Sequence, residues 1–200
     1  MSEEKTNSAM ERAEKNIRIY DQTASMHFRL ADYYRKLSNL ENAFEIALSV
    51  ALCGVTFLDV DKYPVIKQTL GLLDSTLLIG IISITLFAFT LIKQFLNHHQ
   101  LFEKHNMAGK MFVQANLDLK LKKNEWMDNN TEDGMIRSYL SQLASSLNEL
   151  PQIPEKKFPK LKHHHVRKVE LSKFIDEHKA TPWLWCRFLF LLKGLGVYKK

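Results

Sequence analysis

One stretch constrains the fold more than any other, because it carries no charge over eighteen residues: Ser75–Ile92, STLLIGIISITLFAFTLI, between Asp74 and Lys93. An uncharged apolar run of about 18 or more residues is typical of a membrane-spanning helix. As a helix rising about 1.5 Å per residue, it would extend about 27 Å, close to the thickness of a bilayer's hydrocarbon core. We therefore predict a transmembrane helix here. The alternative is the buried core helix of a soluble protein.

A shorter apolar run precedes this one. Ile46–Leu58 contains only thirteen uncharged residues, too few to cross a bilayer without extension. Extension to residues 43–60 places Glu45 near one end and Asp59 near the other, where carboxylates can reach the interface instead of the costly bilayer centre. Because a clear span follows so closely, we predict that this run is the first arm of a membrane hairpin.

Helical periodicity dominates the rest of the chain. Apolar residues recur at three- and four-residue steps from Ile17 to Leu40, from Leu96 to Leu121 and from Ile136 to Leu150. The predicted fold class is all-α, a two-helix transmembrane hairpin continuous with long cytoplasmic helices that form a bundle. The predicted organisation is an N-terminal cytoplasmic helix (1–42), a first transmembrane helix (43–60), an external loop (61–74), a second transmembrane helix (75–92), a cytoplasmic helical bundle (93–180) and an aromatic and basic tail (181–200).

Charge on either side of the hairpin predicts its orientation. Lysine and arginine mark the cytoplasmic side of membrane proteins. Arg35 and Lys36 precede the first span, and Lys93 and Lys104 follow the second, whereas the connecting segment 59–74 is slightly acidic. We expect both termini in the cytoplasm. No apolar region lies within the first twenty residues, so no cleavable signal peptide is expected.

The first span carries a polar line that suggests a function. Its members recur every three or four residues and so share one helix face: Asn42, Glu45, Ser49, Cys53 and Thr56. Polar groups in membrane helices usually face a partner helix or a water-filled path. Two spans cannot enclose a channel, so a pore wall would require several chains, with Glu45 forming a carboxylate ring that favours cations. The alternative is that these groups bond across the hairpin.

Two further surfaces are predicted from residue type. In the second span, small residues that would allow close helix packing are Thr76, Gly80 and Ser83. The tail contains aromatic and basic residues typical of the membrane interface, namely Trp183, Trp185, Arg187 and Phe188. It is too short to span, and its alternative role is to pack against the bundle.

Catalytic chemistry is not indicated. The chain has no phosphate-binding glycine loop and no GxSxG, HExxH or CxxC motif, so we predict no enzyme and no cofactor. His98 and His105 share a helix face, and residues 163–165 are consecutive histidines, but neither group has the ligand spacing of a zinc site. A solvated basic face near lipid headgroups is the expected role. The basic run 156–173 lacks interleaved aromatic residues, so direct nucleic-acid binding is not expected.

The layout as a whole resembles the SLATT family of bacterial two-transmembrane proteins. The resemblance covers roughly Ala24 to Lys179, and it depends on the architecture, on the helix containing His105, Ala108 and Phe112, and on the segment from Pro151 to Pro154. It implies an oligomeric effector that breaches the bacterial inner membrane in antiphage or abortive-infection defence. A nucleotide signal, or a partner synthase, sensor or reverse transcriptase, would trigger it.

The family offers no catalytic residues to carry over, and its resemblance does not extend to the aromatic tail. The alternative function is a membrane-anchored interaction protein that localises a cytoplasmic partner through its basic helical bundle. A net charge of +6 is compatible with anionic lipid as well as with an acidic partner.

Overall fold

The structure, a computed structural model, describes residues 3–57, 75–129, 131–178 and 182–194, although the side chains at 3–8, 75–76 and 192–194 lie outside the described set. The described residues are all-helical and contain no strand. Their six helices are α1 (Glu3–Phe57), α2 (Ser75–Leu96), α3 (His98–Asn129), α4 (Asp133–Asn148), α5 (Phe158–Glu177) and α6 (Trp183–Gly194).

Helix α1 is long because its sequence contains no helix breaker for most of its length. Neither proline nor glycine occurs before Gly54, and both residues destabilise a helix when they lie in its interior. One helix therefore contains the predicted N-terminal cytoplasmic helix and most of the predicted first span, and it ends at Phe57. The predicted external loop, with its turn signals Pro64 and Gly71, lies outside the described residues.

The junction between α2 and α3 is a single residue in an uncommon conformation. Asn97 has a φ of 46°, in the left-handed region that asparagine tolerates better than most residues. The main chain remains hydrogen-bonded around it, because the Asn97 N–H donates to Lys93 O at 3.0 Å and the Leu101 N–H donates to Asn97 O at 3.2 Å. The chain thus continues from α2 into α3 with one local interruption.

The chain divides into two compact units, each described by itself. The first comprises the described residues up to Arg29 and from Asn106 onward, and the second is Leu30–His105. Two helical stretches are long and apolar enough to cross a membrane, one in α1 and one beginning in α2. The most apolar 18-residue segment of each stretch is not buried, whereas the core helix of a soluble protein is mostly buried. Length, composition and exposure therefore agree with membrane association.

The core of the first unit comes from matching positions on three helices. Its buried members are spaced four and then seven residues apart on each helix, namely Ala9, Ala13 and Tyr20 on α1, Ala115, Leu119 and Trp126 on α3, and Ile136, Leu140 and Leu147 on α4. This spacing keeps side chains on one helix face. Asn116 adds a polar contact, because its Nδ2 donates to the Ile17 carbonyl at 2.8 Å.

A glycine permits a close contact elsewhere in this unit. Gly109 of α3 is buried, and a Cβ built on it would lie 2.9 Å from Cε1 of Phe28 in α1. Ordinary contacts between carbon atoms are about 3.5–4.0 Å, so any other residue at this position would displace the ring.

Helices α5 and α6 pack through a small aromatic cluster. Phe174 is buried, and its ring centroid lies 4.2 Å from that of His178 and 5.9 Å from that of Phe190. Cys186 is fully buried, with its Sγ 3.8 Å from the His178 carbonyl oxygen. One side of α6 is therefore fixed against α5.

Candidate functional site

Most of the predicted polar line forms one groove. The groove, about 630 Å³ in volume, is lined by Asn42, Glu45, Ile46, Ser49, Val50 and Cys53. Four of these six belong to the predicted line. Thr56 does not line the groove and is exposed near the end of α1.

Hydroxyl groups along both apolar helices bond to their own backbone. Ser49 Oγ donates to the Glu45 carbonyl and Thr56 Oγ1 to the Leu52 carbonyl, each at 2.8 Å. On α2, the hydroxyls of Thr85 and Thr90 make the same bond to the carbonyl four residues earlier. Such bonds satisfy a hydroxyl inside a membrane. Within the groove, the groups most costly to place in lipid are therefore the Asn42 amide and the Glu45 carboxylate.

The Glu45 carboxylate is paired across the hairpin. Lys93 Nζ lies 2.5 Å from Oε2 of Glu45, and their side chains are 29% and 32% exposed. For this residue, the structure thus contains the cross-hairpin bond that the sequence left as the alternative to a pore wall. A ring of free carboxylates in an assembly would require Glu45 to separate from Lys93.

A second pair lies about one turn away on α1. His98 Nδ1 is 2.5 Å from Oε1 of Glu41, and these side chains are only 15% and 14% exposed. On the α2–α3 side, the two pairs lie on either side of Asn97. We call Glu41, Glu45, Lys93 and His98 the neck. They join α1 to the interrupted helix just where the uncharged run ends.

Tyr34 extends the neck with a stack of rings. Its ring centroid lies 6.0 Å from that of His98 and 5.7 Å from that of His105, with interplanar angles of 22° and 6°. His105 is only 4% exposed. The expectation of a solvated basic face was therefore wrong for His98 and His105, because an α1 aromatic residue covers the face that they share. Among the described residues, no group of three or more metal-ligating side chains is placed to hold a metal ion.

No described residue lies close to the glycine of the predicted helix-packing face. Gly80 and Ser83 are half-buried, and a Cβ built on Gly80 meets no atom within 4 Å. The Thr76 side chain lies outside the described set. A role for these small residues in helix packing stays a prediction.

The predicted interface residues remain accessible. Trp183, Trp185 and Phe188 are each more than half exposed, and Cζ of Arg187 lies 5.2 Å from the centroid of the Trp183 ring. Cys186 contacts His178 at the end of α5 and Phe190 contacts Phe174, so one side of this helix packs within the chain. The membrane-interface location of the other side stays a prediction.

The consecutive histidines occupy different environments. The His165 side chain is 13% exposed and its Nε2 lies 3.9 Å from Oδ2 of Asp21. His164 is exposed, yet partial desolvation lowers its pKa, and a group of nearby cations lowers it further: Arg29, Lys168, Arg167 and His163. This part of α5 is therefore a concentrated, exposed source of positive charge.

Sequence reasoning missed the neck partners. In the sequence, Tyr34 belongs to the apolar pattern from Ile17 to Leu40, and Glu41 stands just before the predicted polar line. The available signal was a pair of carboxylates one turn apart on α1, followed after the hairpin by a lysine and a histidine. Comparison with protein-family models, curated proteins and solved structures finds no match to this chain.

Proposed function

We propose that the chain is a membrane effector that forms a pore or disrupts the bilayer as a homo-oligomer. The end of α1 and the start of α2 form a hairpin in the bacterial inner membrane, with both termini in the cytoplasm. Several copies assemble with their grooves facing a shared path. The resemblance to the SLATT family supports a role in antiphage or abortive-infection defence, triggered by a nucleotide signal or a partner protein.

The observation that carries the proposal is a polar groove on an apolar, exposed helix. An amide and a carboxylate are costly to expose to lipid, so membrane helices turn such groups toward a partner or water. The groove contains both, from Asn42 and Glu45, beside apolar side chains that are themselves well exposed. Assembly around the groove would remove these polar groups from lipid and leave the apolar remainder facing it.

The pairing of Glu45 supports a closed resting state. Next to Lys93, the carboxylate belongs to a neutral pair, which costs less near a membrane than an isolated charge. Separation of the pair on assembly or triggering would expose negative charge at one end of the groove. That arrangement favours cations.

The native cysteines offer a direct test. Cys53 lines the groove and is exposed, whereas Cys186 is fully buried. In a Cys186→Ser chain, Cys53 is the only thiol. We expect a membrane-impermeant, positively charged methanethiosulfonate reagent to modify it and to reduce cation leakage from bacterial cells expressing the chain with its trigger. A chain that also carries Cys53→Ser keeps a small polar side chain there and should leak without responding to the reagent.

Two results would contradict the proposal. The first is unchanged leakage when mass spectrometry shows complete modification of Cys53. The second is a normal membrane potential at high expression with the trigger present. A lipid-soluble maleimide controls for access, since it reaches Cys53 even where the groove faces lipid.

The exposed charge on α5 favours a second candidate, a membrane-anchored protein that localises an acidic cytoplasmic partner. The cations around His164 lie in the first unit. Charge reversals between Lys156 and Lys173 would then abolish activity, whereas Glu45→Leu would have no effect. The opposite pattern supports the pore.

A further inference from the structure

Helix α6 has two unlike sides. Cys186 is 0% exposed and Phe190 lies against Phe174, so one side packs on α5. The other side is a largely apolar surface that we call the aromatic face: Trp183 (56% exposed), Leu184 (72%), Trp185 (57%), Phe188 (51%) and Leu191 (46%). At 100° per residue, Leu184, Phe188 and Leu191 lie at its centre and the two tryptophans at its edges.

This face is large for a surface in contact with water. Aromatic side chains each bury about 150–250 Å² when fully enclosed, so three that are half exposed leave roughly 300 Å² accessible before the leucines are added. A contiguous apolar patch of this size usually marks an interaction site. The buried side already holds α6 on α5, so the exposed rings are not needed for that contact.

Charge on the same helix indicates the occupant. Residues 183–194 contain Arg187 and Lys193 but no aspartate or glutamate. The Arg187 guanidinium lies over the Trp183 ring, so a cation is held within the apolar face itself. A phospholipid surface matches this pattern, because guanidinium groups bind phosphate oxygens and indole rings prefer the membrane–water interface. An apolar groove in a protein partner would leave Arg187 without a counter-charge.

We propose that the aromatic face lies in the headgroup region of an anionic bilayer, parallel to its plane, while Cys186 and Phe190 hold the helix on α5. The inference rests on the membrane location in the proposed function, but it does not depend on pore formation. It gives α6 a role as a peripheral contact of the first unit with lipid, separate from the two apolar stretches.

Three tryptophans make the proposal testable in the full-length chain. Trp126 is 8% exposed within the core of the first unit, whereas Trp183 and Trp185 lie on the aromatic face. A Trp126→Phe chain reports the face alone. A Trp183→Phe, Trp185→Phe chain reports the core alone and is the matched control. Both are reconstituted in vesicles with bromine-labelled phospholipid, with or without anionic phosphatidylglycerol, and circular dichroism checks their helix content.

We expect brominated lipid to reduce the fluorescence of the face reporter roughly twofold in anionic vesicles and to leave the core reporter nearly unchanged. Bromine placed near the headgroup should quench more than bromine deep in the acyl chains. Arg187→Gln in the Trp126→Phe chain should reduce this quenching in anionic vesicles and have little effect in purely zwitterionic ones.

Either of two results would overturn the proposal. Quenching of the face reporter by aqueous iodide but not by brominated lipid would place the face in water. Protection from both quenchers would mean that a second copy or another protein covers it. Flotation of the vesicles shows separately whether the chain binds the membrane. A chain that floats and shows quenching of the face reporter but causes no leakage would support this inference and contradict the pore.

Discussion

Substitution of Gly109 tests a close contact between α1 and α3. In Gly109→Ala, the new methyl group would meet three atoms of the Phe28 ring at 2.9–3.1 Å. Because an aromatic ring is rigid, it must move as a whole by roughly half an ångström or more to restore a normal contact. Phe28 is 37% exposed, so it has room to swing outward, at the expense of its contact with α3.

Two opposing terms set the magnitude. Alanine improves helix propensity over glycine by about 1 kcal/mol. Overpacking usually costs about 1–3 kcal/mol. We therefore expect Gly109→Ala to change the free energy of unfolding by about 0 to 2 kcal/mol in the destabilising direction. In a Phe28→Ala background the clash is absent, and the same change should stabilise by about 1 kcal/mol.

A double-mutant cycle measures the difference, with urea unfolding followed by fluorescence of Trp126 in a chain whose other two tryptophans are phenylalanine. We expect a coupling of about 1–3 kcal/mol between Phe28 and Gly109. Gly134→Ala is the control, because its Cβ would meet no atom within 4 Å, and it should have the same effect in both backgrounds. Equal effects of Gly109→Ala with and without Phe28, within about 0.5 kcal/mol, would refute the close approach.

Two further predictions concern charge. The Glu45–Lys93 pair is about one third exposed, so we assign it about 1 kcal/mol. In the proposed pore, Lys93→Gln should therefore shift the equilibrium from the closed toward the open state about fivefold, and cation leakage should rise accordingly. Equal leakage from the control Lys104→Gln would contradict this. Partial desolvation and nearby cations hold the pKa of His164 below its ordinary 6.5. The unfolded chain therefore takes up this proton first, and the His164 contribution to stability falls as pH decreases through 6.5 and levels off below the folded pKa. An NMR titration of His164 should show that low pKa and its rise toward 6.5 in Arg167→Gln, while an unchanged value in this variant would exclude the proposed effect of the arginine charge.

The helices follow from local patterns, and so they could be predicted from the sequence. The absence of breakers before Gly54 favours one helix through the first apolar run, and the uncharged stretch after Asp74 matches α2. The polar line follows from spacing alone, and four of its five members line one groove. The neck and the ring stack of Tyr34 on His105 could not be found in this way, because they depend on which turn of α1 faces which turn of α2 and α3. Tyr34 and His105 are separated by seventy residues, and periodicity within either helix is compatible with many alignments between them.

The contacts of the neck limit which residues of the polar line could require a partner chain. If every polar group of the line had its hydrogen-bond or ion-pair partner within one chain, the line would give no reason to expect assembly. The serine and threonine hydroxyls meet that description, because their own helix accepts their hydrogen bonds. Glu45 meets it only while Lys93 stays beside it, and both side chains remain about one third exposed. Their pairing can therefore be exchanged at small cost, unlike that of the better buried Glu41 and His98. If the proposed pore forms, this contrast predicts that the Glu45–Lys93 pair separates on assembly, whereas the Glu41–His98 pair stays intact.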